Sequence, residues 1–198
     1  MSLRLNSTTR MAVLICVMST AAAQAQTGGV TGQITATGLR SSGGIVVSLE
    51  ARGLSVTPPA TPVEMDQEGM EFIPHVLPVV KGTTVRFLNN DPVRHNVFSP
   101  EGRYNLGNWR RGEIRDHLFD KSGVYTQLCR RHDEMEAFVV VLDTPYFSIT
   151  DPAGAFEIKN VPPGEYTLVA WSETLKTAKR IVTVEAAKPV TVSLTLTK

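Results

Sequence analysis

Apolar and polar residues alternate in short runs along almost the whole chain, and no stretch repeats with the 3.6-residue spacing of an amphipathic helix. The pattern opens at residues 30–36, then at 45–50, where Ile45, Val47 and Leu49 share one face of an extended strand. It resumes at 72–80, at 83–88 after the Lys81-Gly82 turn, at 96–98, at 124–129 after Gly123, and at 137–142. Further strands are predicted at 146–150, 156–158, 166–171 and 181–184, separated by the turns Asp151-Pro152-Ala153-Gly154 and Val161-Pro162-Pro163-Gly164. Val190, Val192, Leu194 and Leu196 then alternate strictly to the end. The fold class this predicts is all-β.

The texture of these runs changes twice. Residues 52–63 collect Gly53, Pro58, Pro59 and Pro62 and bury little, which reads as a linker. A second change comes at Asp143-Thr144-Pro145. The block between, residues 64–143, therefore has strands on both sides that belong elsewhere. Two strands over residues 29–50 cannot enclose a core by themselves, which favours pairing them with residues 144–198.

The middle block holds the chemistry. Cys129-Arg130-Arg131-His132-Asp133-Glu134-Met135 places a thiolate, an imidazole and a thioether in what reads as one short turn, and His95 stands upstream at a predicted strand end. Two histidines and one cysteine in a trigonal set, with a weak axial methionine, form the ligand set of a mononuclear blue-copper site. His95, Cys129, His132 and Met135 are the candidate ligands.

Cysteine usage sharpens this. The chain has two cysteines, Cys16 and Cys129. Cys16 lies in an apolar stretch preceded by Arg4 and Arg10 and followed by the small-x-small pattern Ala23-Gln24-Ala25, so residues 1–25 read as a secretory signal. Ile15 is not the small residue expected before a lipid-modified cysteine, and the apolar run is short for a transmembrane anchor. The expected mature protein is thus periplasmic or secreted and keeps a single cysteine, a leftover thiol that a metal bond would protect. The leader carries Arg4 and Arg10 and no acid, so 18 of the 20 basic residues remain against 19 acidic ones. That near balance excludes a bulk field for nucleic acid.

Two family resemblances account for the layout. Residues 64–143 resemble a cupredoxin, closest to the amicyanin and plastocyanin-like group, through residues 80–87, His95-Asn96-Val97, Gly123-Val124-Tyr125 and the C-x-x-H-x-x-M loop. The flanks, 26–63 and 144–198, resemble a carboxypeptidase regulatory-like, or transthyretin-like, β-sandwich, through Gly29-Val30-Thr31-Gly32, Ile45-Val46-Val47, residues 151–156 and residues 160–168. Together the resemblances imply a Greek-key cupredoxin sandwich inserted into a smaller, discontinuous sandwich. They also imply one type 1 copper ion, one-electron transfer to or from a redox partner protein, and a supporting role for Asn96, which resembles the asparagine that ties the first ligand strand to the cysteine loop. Arg130, Arg131, Asp133 and Glu134 depart from the apolar surroundings usual in small cupredoxins and make a charged docking face an option.

Catalysis of its own reaction is not expected. The copper enzymes built on this fold need further histidine-rich sites, and the chain has no His-x-His pair, no second loop cysteine and no Gly-x-Ser-x-Gly elbow. His75 and His117 read as solvated histidines, Met65 and Met70 as surface or packing residues, and Trp171 as a packing residue. The alternative to an electron carrier is a periplasmic copper carrier, or a scaffold or adhesion module without a redox role.

Overall fold

The computed structural model describes residues 26–198; the expected leader, with Cys16, lies outside the described residues. These residues form sixteen strands and no helix. No helix among them is long and apolar enough to cross a membrane.

Strands β1 (Gly28–Ala36) and β2 (Val46–Glu50) come first and belong with the last five. Those are β12 (Phe147–Ile149), β13 (Ala155–Val161), β14 (Gly164–Trp171), β15 (Ala178–Val184) and β16 (Pro189–Leu196). One sheet has the order β13-β1-β16 and the other β12-β2-β14-β15. Between them Val30, Ile34, Val47, Leu49, Leu168 and Leu196 are fully buried. Gly32 lies in the central strand of the three-stranded sheet, where a Cβ would collide with the Val192 carbonyl oxygen and the Phe156 ring. That close approach explains a glycine inside a strand.

The middle strands are β3 (Val63–Glu68), β4 (Glu71–Ile73), β5 (Val76–Val80), β6 (Thr83–Phe87), β7 (His95–Ser99), β8 (Tyr104–Trp109), β9 (Arg115–Phe119), β10 (Gly123–Cys129) and β11 (His132–Leu142). They form a five-stranded sheet, β5-β11-β10-β7-β8, and a four-stranded sheet, β4-β3-β6-β9. Met65, Val85, Phe87, Val97, Trp109, Ala137 and Val139 fill a second, separate core.

The sequence pattern differs from this layout at four places. The first is β3, which begins at the last residue of the expected linker, where no strand is predicted, and runs parallel to β6 inside the four-stranded sheet. Residues 72–80 are two strands: β4 pairs with β3 in one sheet and β5 runs parallel to β11 in the other. Pro74, which has no N–H to give a ladder, stands at the switch. β8 and β9 were not legible, and both are edge strands. In β9 the side chains facing inward are His117 and Phe119 while Leu118 is 54% exposed, so the polarity alternation is inverted. β8 carries Asn105, Gly107 and Asn108, which read as turn residues, and polar edge strands are a common guard against edge pairing.

The two sandwiches meet sheet to sheet. Val46 of β2, Val76 of β5 and Val140 of β11 form a third buried cluster, joined by Phe138 and Trp171. The Phe138 and Trp171 rings stack edge to face at 5.6 Å. This explains why β2 is buried on both faces, with Val47 and Leu49 in their own core and Val46 in the junction.

Candidate metal centre

Cys129 is the last residue of β10 and His132 the first of β11, so a turn of only Arg130 and Arg131 separates them. The seven-residue motif is therefore not one turn. The β10–β11 ladder runs in step from Gly123↔Val141 to Leu128↔Glu136 and then jumps to Cys129↔His132. Asp133, Glu134 and Met135 are extra on the β11 side. Such a bulge re-aims side chains at a sheet edge, and here Met135 is buried and lines the same hollow as Cys129, Leu128 and Phe98.

His95 opens β7, which lies beside β10 through the Phe98↔Leu128 pair. The loop before it is held by Asn89, whose Nδ2 donates to the carbonyls of Val93 and Trp109, both at 3.1 Å. Three donor atoms then converge. His95 Nδ1 and His132 Nδ1 are 3.0 Å apart, and Cys129 Sγ lies 3.9 Å from the first and 3.7 Å from the second. His95 and Cys129 are buried, and His132 is partly exposed.

Asn96 connects three strands around this cluster. Its backbone N–H donates to Cys129 Sγ at 3.4 Å, and its side-chain Oδ1 accepts from the Arg130 N–H at 3.4 Å. Its Nδ2 donates to Asn105 Oδ1 and to the Gly107 carbonyl in β8, at 2.8 and 2.7 Å. The Arg130 guanidinium lies over the Phe98 ring, 4.9 Å from its centroid.

Asp91 is the residue that sequence reasoning passed over, because Asn-Asn-Asp-Pro reads first as a turn. Its Oδ2 lies 2.6 Å from His95 Nε2, with His95 fully buried and the Asp91 side chain 8% exposed. The same carboxylate accepts the N–H groups of Gly69 at 2.7 Å and Met70 at 2.9 Å. Burial works to raise the Asp91 carboxyl, but the Met70 and Gly69 amides and His95 outweigh it and hold the group below the usual carboxylate range. The only signal for it in the sequence was an acid four residues before a candidate ligand.

The cluster fits a small thiophilic ion. Metal–nitrogen bonds of about 2.0 Å and metal–sulfur bonds of about 2.3 Å in a trigonal plane put the donors roughly 3.5–4 Å apart; the two sulfur–nitrogen spacings, 3.9 and 3.7 Å, fall in that range, and the two Nδ1 atoms, at 3.0 Å, are closer. Among the described residues His95, Cys129 and His132 are the group of side chains able to hold a metal. His75 instead pairs with Glu173 at 2.6 Å across the junction of the two sandwiches.

His117 differs from the solvated residue expected. Its ring is half-buried, stacked at 3.8 Å on Tyr104 and set edge-on to Phe119 at 4.9 Å. Burial pushes its pKa down, against a smaller upward pull from Asp120. A lowered imidazole contributes stability that is fully present above its unfolded pKa, about 6.5, and is lost as pH falls through that value towards the folded one. His117→Phe is expected to flatten the dependence of urea midpoint on pH below about 6.5. An unchanged slope would show that the ring is solvated after all.

Residues 135–197 match the family model of the carboxypeptidase regulatory-like domain. Among solved structures, a purple cupredoxin from Nitrosopumilus maritimus is 26% identical, with 40% of this chain and 99% of that chain covered and a TM-score of 0.37. A reduced amicyanin variant is 20% identical, over 48% of this chain and 98% of that one, with a TM-score of 0.40. The chain is thus similar to cupredoxins and, over residues 135–197, to the carboxypeptidase regulatory-like domain. The chain is also similar to a copper-containing nitrite reductase from Thermus scotoductus, at 24% identity, with 55% of this chain and 28% of that chain covered and a TM-score of 0.40. No curated protein matches the sequence. The regulatory-like match begins at Met135, inside β11, and leaves out β1 and β2, which pair with β13, β16, β12 and β14.

Proposed function

We propose that this chain is an exported type 1 copper protein that carries single electrons, and that His95, Cys129, His132 and Met135 would hold one copper ion. The observation that supports it is the convergence of the two Nδ1 atoms and Sγ, at 3.0–3.9 Å from one another. Copper, when bound, supplies a one-electron couple. The chain's own part is to hold soft sulfur and imidazole nitrogen in one arrangement that suits both oxidation states.

Each residue has a task in this reading. Cys129 supplies the thiolate, and Asn96 restrains it by donating to Sγ and gripping the turn that follows. His95, buried, comes from a different strand, so the folded sandwich rather than the hairpin sets the geometry. His132, partly exposed, is the edge through which a redox partner would reach the site, among the exposed side chains of Arg130, Arg131, Asp133 and Glu134. Residues 64–143 form the copper domain, inserted between β2 and β12 of the flanking sandwich; separate cores support that division.

Adding one equivalent of Cu(II) to the mature protein should produce an intense visible thiolate-to-copper band. Reduction and reoxidation without loss of metal support the electron carrier, whereas release of the ion on reduction would mark a copper carrier instead. A protein that stays colourless refutes the site.

Met135→Leu tests the role of the thioether. It should keep the ion and raise the reduction potential in voltammetry, since loss of the thioether disfavours Cu(II) more than Cu(I). Loss of copper from that variant would show that Met135 is required for binding.

A further inference from the structure

We infer that Asp91 is a positioning residue for the metal centre: it fixes the tautomer and the aim of His95, and ties both to the β3–β4 hairpin. The inference rests on the copper-site reading above, in which His95 binds through Nδ1.

An imidazole that gives Nδ1 to a metal must carry its proton on Nε2. A ring in solution has no strong reason to choose that tautomer or to hold one orientation. His95 has both reasons. Its Nε2 lies 2.6 Å from Asp91 Oδ2, and a carboxylate can only accept, so the proton sits on Nε2 and the Nδ1 lone pair faces His132 and Cys129. Metal-ligating histidines commonly donate their second N–H in this way, and the partner raises the basicity of the ring.

Asp91 is itself held rather than free to turn. Its Oδ1 accepts the Gly69 N–H, its Oδ2 accepts the Met70 N–H, and its own N–H donates to Asn89 Oδ1 at 3.0 Å. Gly69 and Met70 are the two central residues of the β3–β4 turn, with φ of 66° and 63°. That is the left-handed geometry of a two-residue hairpin, and it is unusual for methionine. Both turn amides point at one carboxylate. His95, on the five-stranded sheet, is thereby anchored to a turn of the four-stranded sheet, and the ligand aim depends on how the two sheets are packed.

Asparagine at position 91 cannot reproduce this. One of its two positions is an NH2, and every position is faced by a donor: the Gly69 N–H on one side, the Met70 N–H and His95 Nε2–H on the other. Either a turn amide is left opposing a donor, or the His95 proton moves to Nδ1, where it blocks the metal.

The test uses the full mature chain and begins without copper. In the metal-free wild type, long-range 1H–15N correlation of the His95 ring should show the Nε2–H tautomer; finding Nδ1–H overturns the inference whether or not the protein binds copper. Asp91→Asn should populate the Nδ1–H tautomer, weaken Cu(II) binding by about 10–100-fold, and raise the reduction potential of whatever copper is retained. Asn90→Ala removes the Asn90–Asp66 contact in the same loop without touching His95, and should leave tautomer and potential in place. If Asp91→Asn keeps the Nε2–H tautomer and binds Cu(II) within twofold of wild type, Asp91 is only a fastener of the hairpin. A wild type with the Nε2–H tautomer that gives no visible copper band would defeat the copper reading while leaving the positioning of His95 standing.

Discussion

Cys129→Ser is expected to abolish the visible copper band and to weaken Cu(II) binding sharply, while the protein stays folded. The band requires a thiolate, and a serine hydroxyl is neither charged at neutral pH nor soft enough to replace it. The substitution is nearly isosteric, so the buried position should tolerate it: the Asn96 N–H that donates to Sγ can donate to the hydroxyl oxygen. His75→Ala and His117→Ala serve as controls and should leave the spectrum unchanged, because one ring faces Glu173 and the other Tyr104. A retained blue band in Cys129→Ser would remove the assignment of the site.

The second large effect concerns the division of the chain. A fragment of residues 61–143 is expected to fold and bind copper, because it holds β3 to β11, its own core and every proposed ligand. A fragment of residues 144–198 is expected not to fold alone. It lacks β1, the centre of the three-stranded sheet, and β2, which lies between β12 and β14. The missing strands carry Val30, Ile34, Val47 and Leu49, all fully buried. At roughly 1.5–3 kcal/mol for each buried aliphatic side chain, their loss is comparable to the whole stability of a small domain, about 5–15 kcal/mol. Joining residues 26–60 to 144–198 through a short Gly/Ser linker should restore a β-rich fold without copper, as read by circular dichroism and a cooperative thermal transition. Cooperative folding of 144–198 alone would instead mean two domains in series.

The junction modulates this expectation. Val76, Val140 and the partly buried Phe138 pack against Val46 and Trp171 in the intact chain, so the 61–143 fragment exposes apolar surface and should be less soluble than the whole protein. The discontinuity also has a counterpart in the family match. The matched residues, 135–197, start in a strand of the five-stranded sheet and omit β1 and β2, which are far away in chain order but hydrogen-bonded to the matched strands.

What the sequence determined by itself was local. Period-two alternation carries the strand character of residues such as Ile45, Val47 and Leu49, since side chains on a strand face opposite ways and only one face meets its core. The C-x-x-H-x-x-M spacing carries the candidate donor types, because donor type is a property of the residue and not of the fold. Tertiary structure decided everything that depends on residues far apart in the chain. It placed β8 and β9 at sheet edges, where polarity no longer reports burial, and split residues 72–80 between two sheets. It turned Met135 inward through a bulge and brought His95 within 3.9 Å of Cys129 across 34 residues of sequence. Above all it set the Asp91 carboxylate between a hairpin turn and a buried imidazole, which the four-residue spacing to His95 alone does not fix, because it depends on how one sheet is packed on the other.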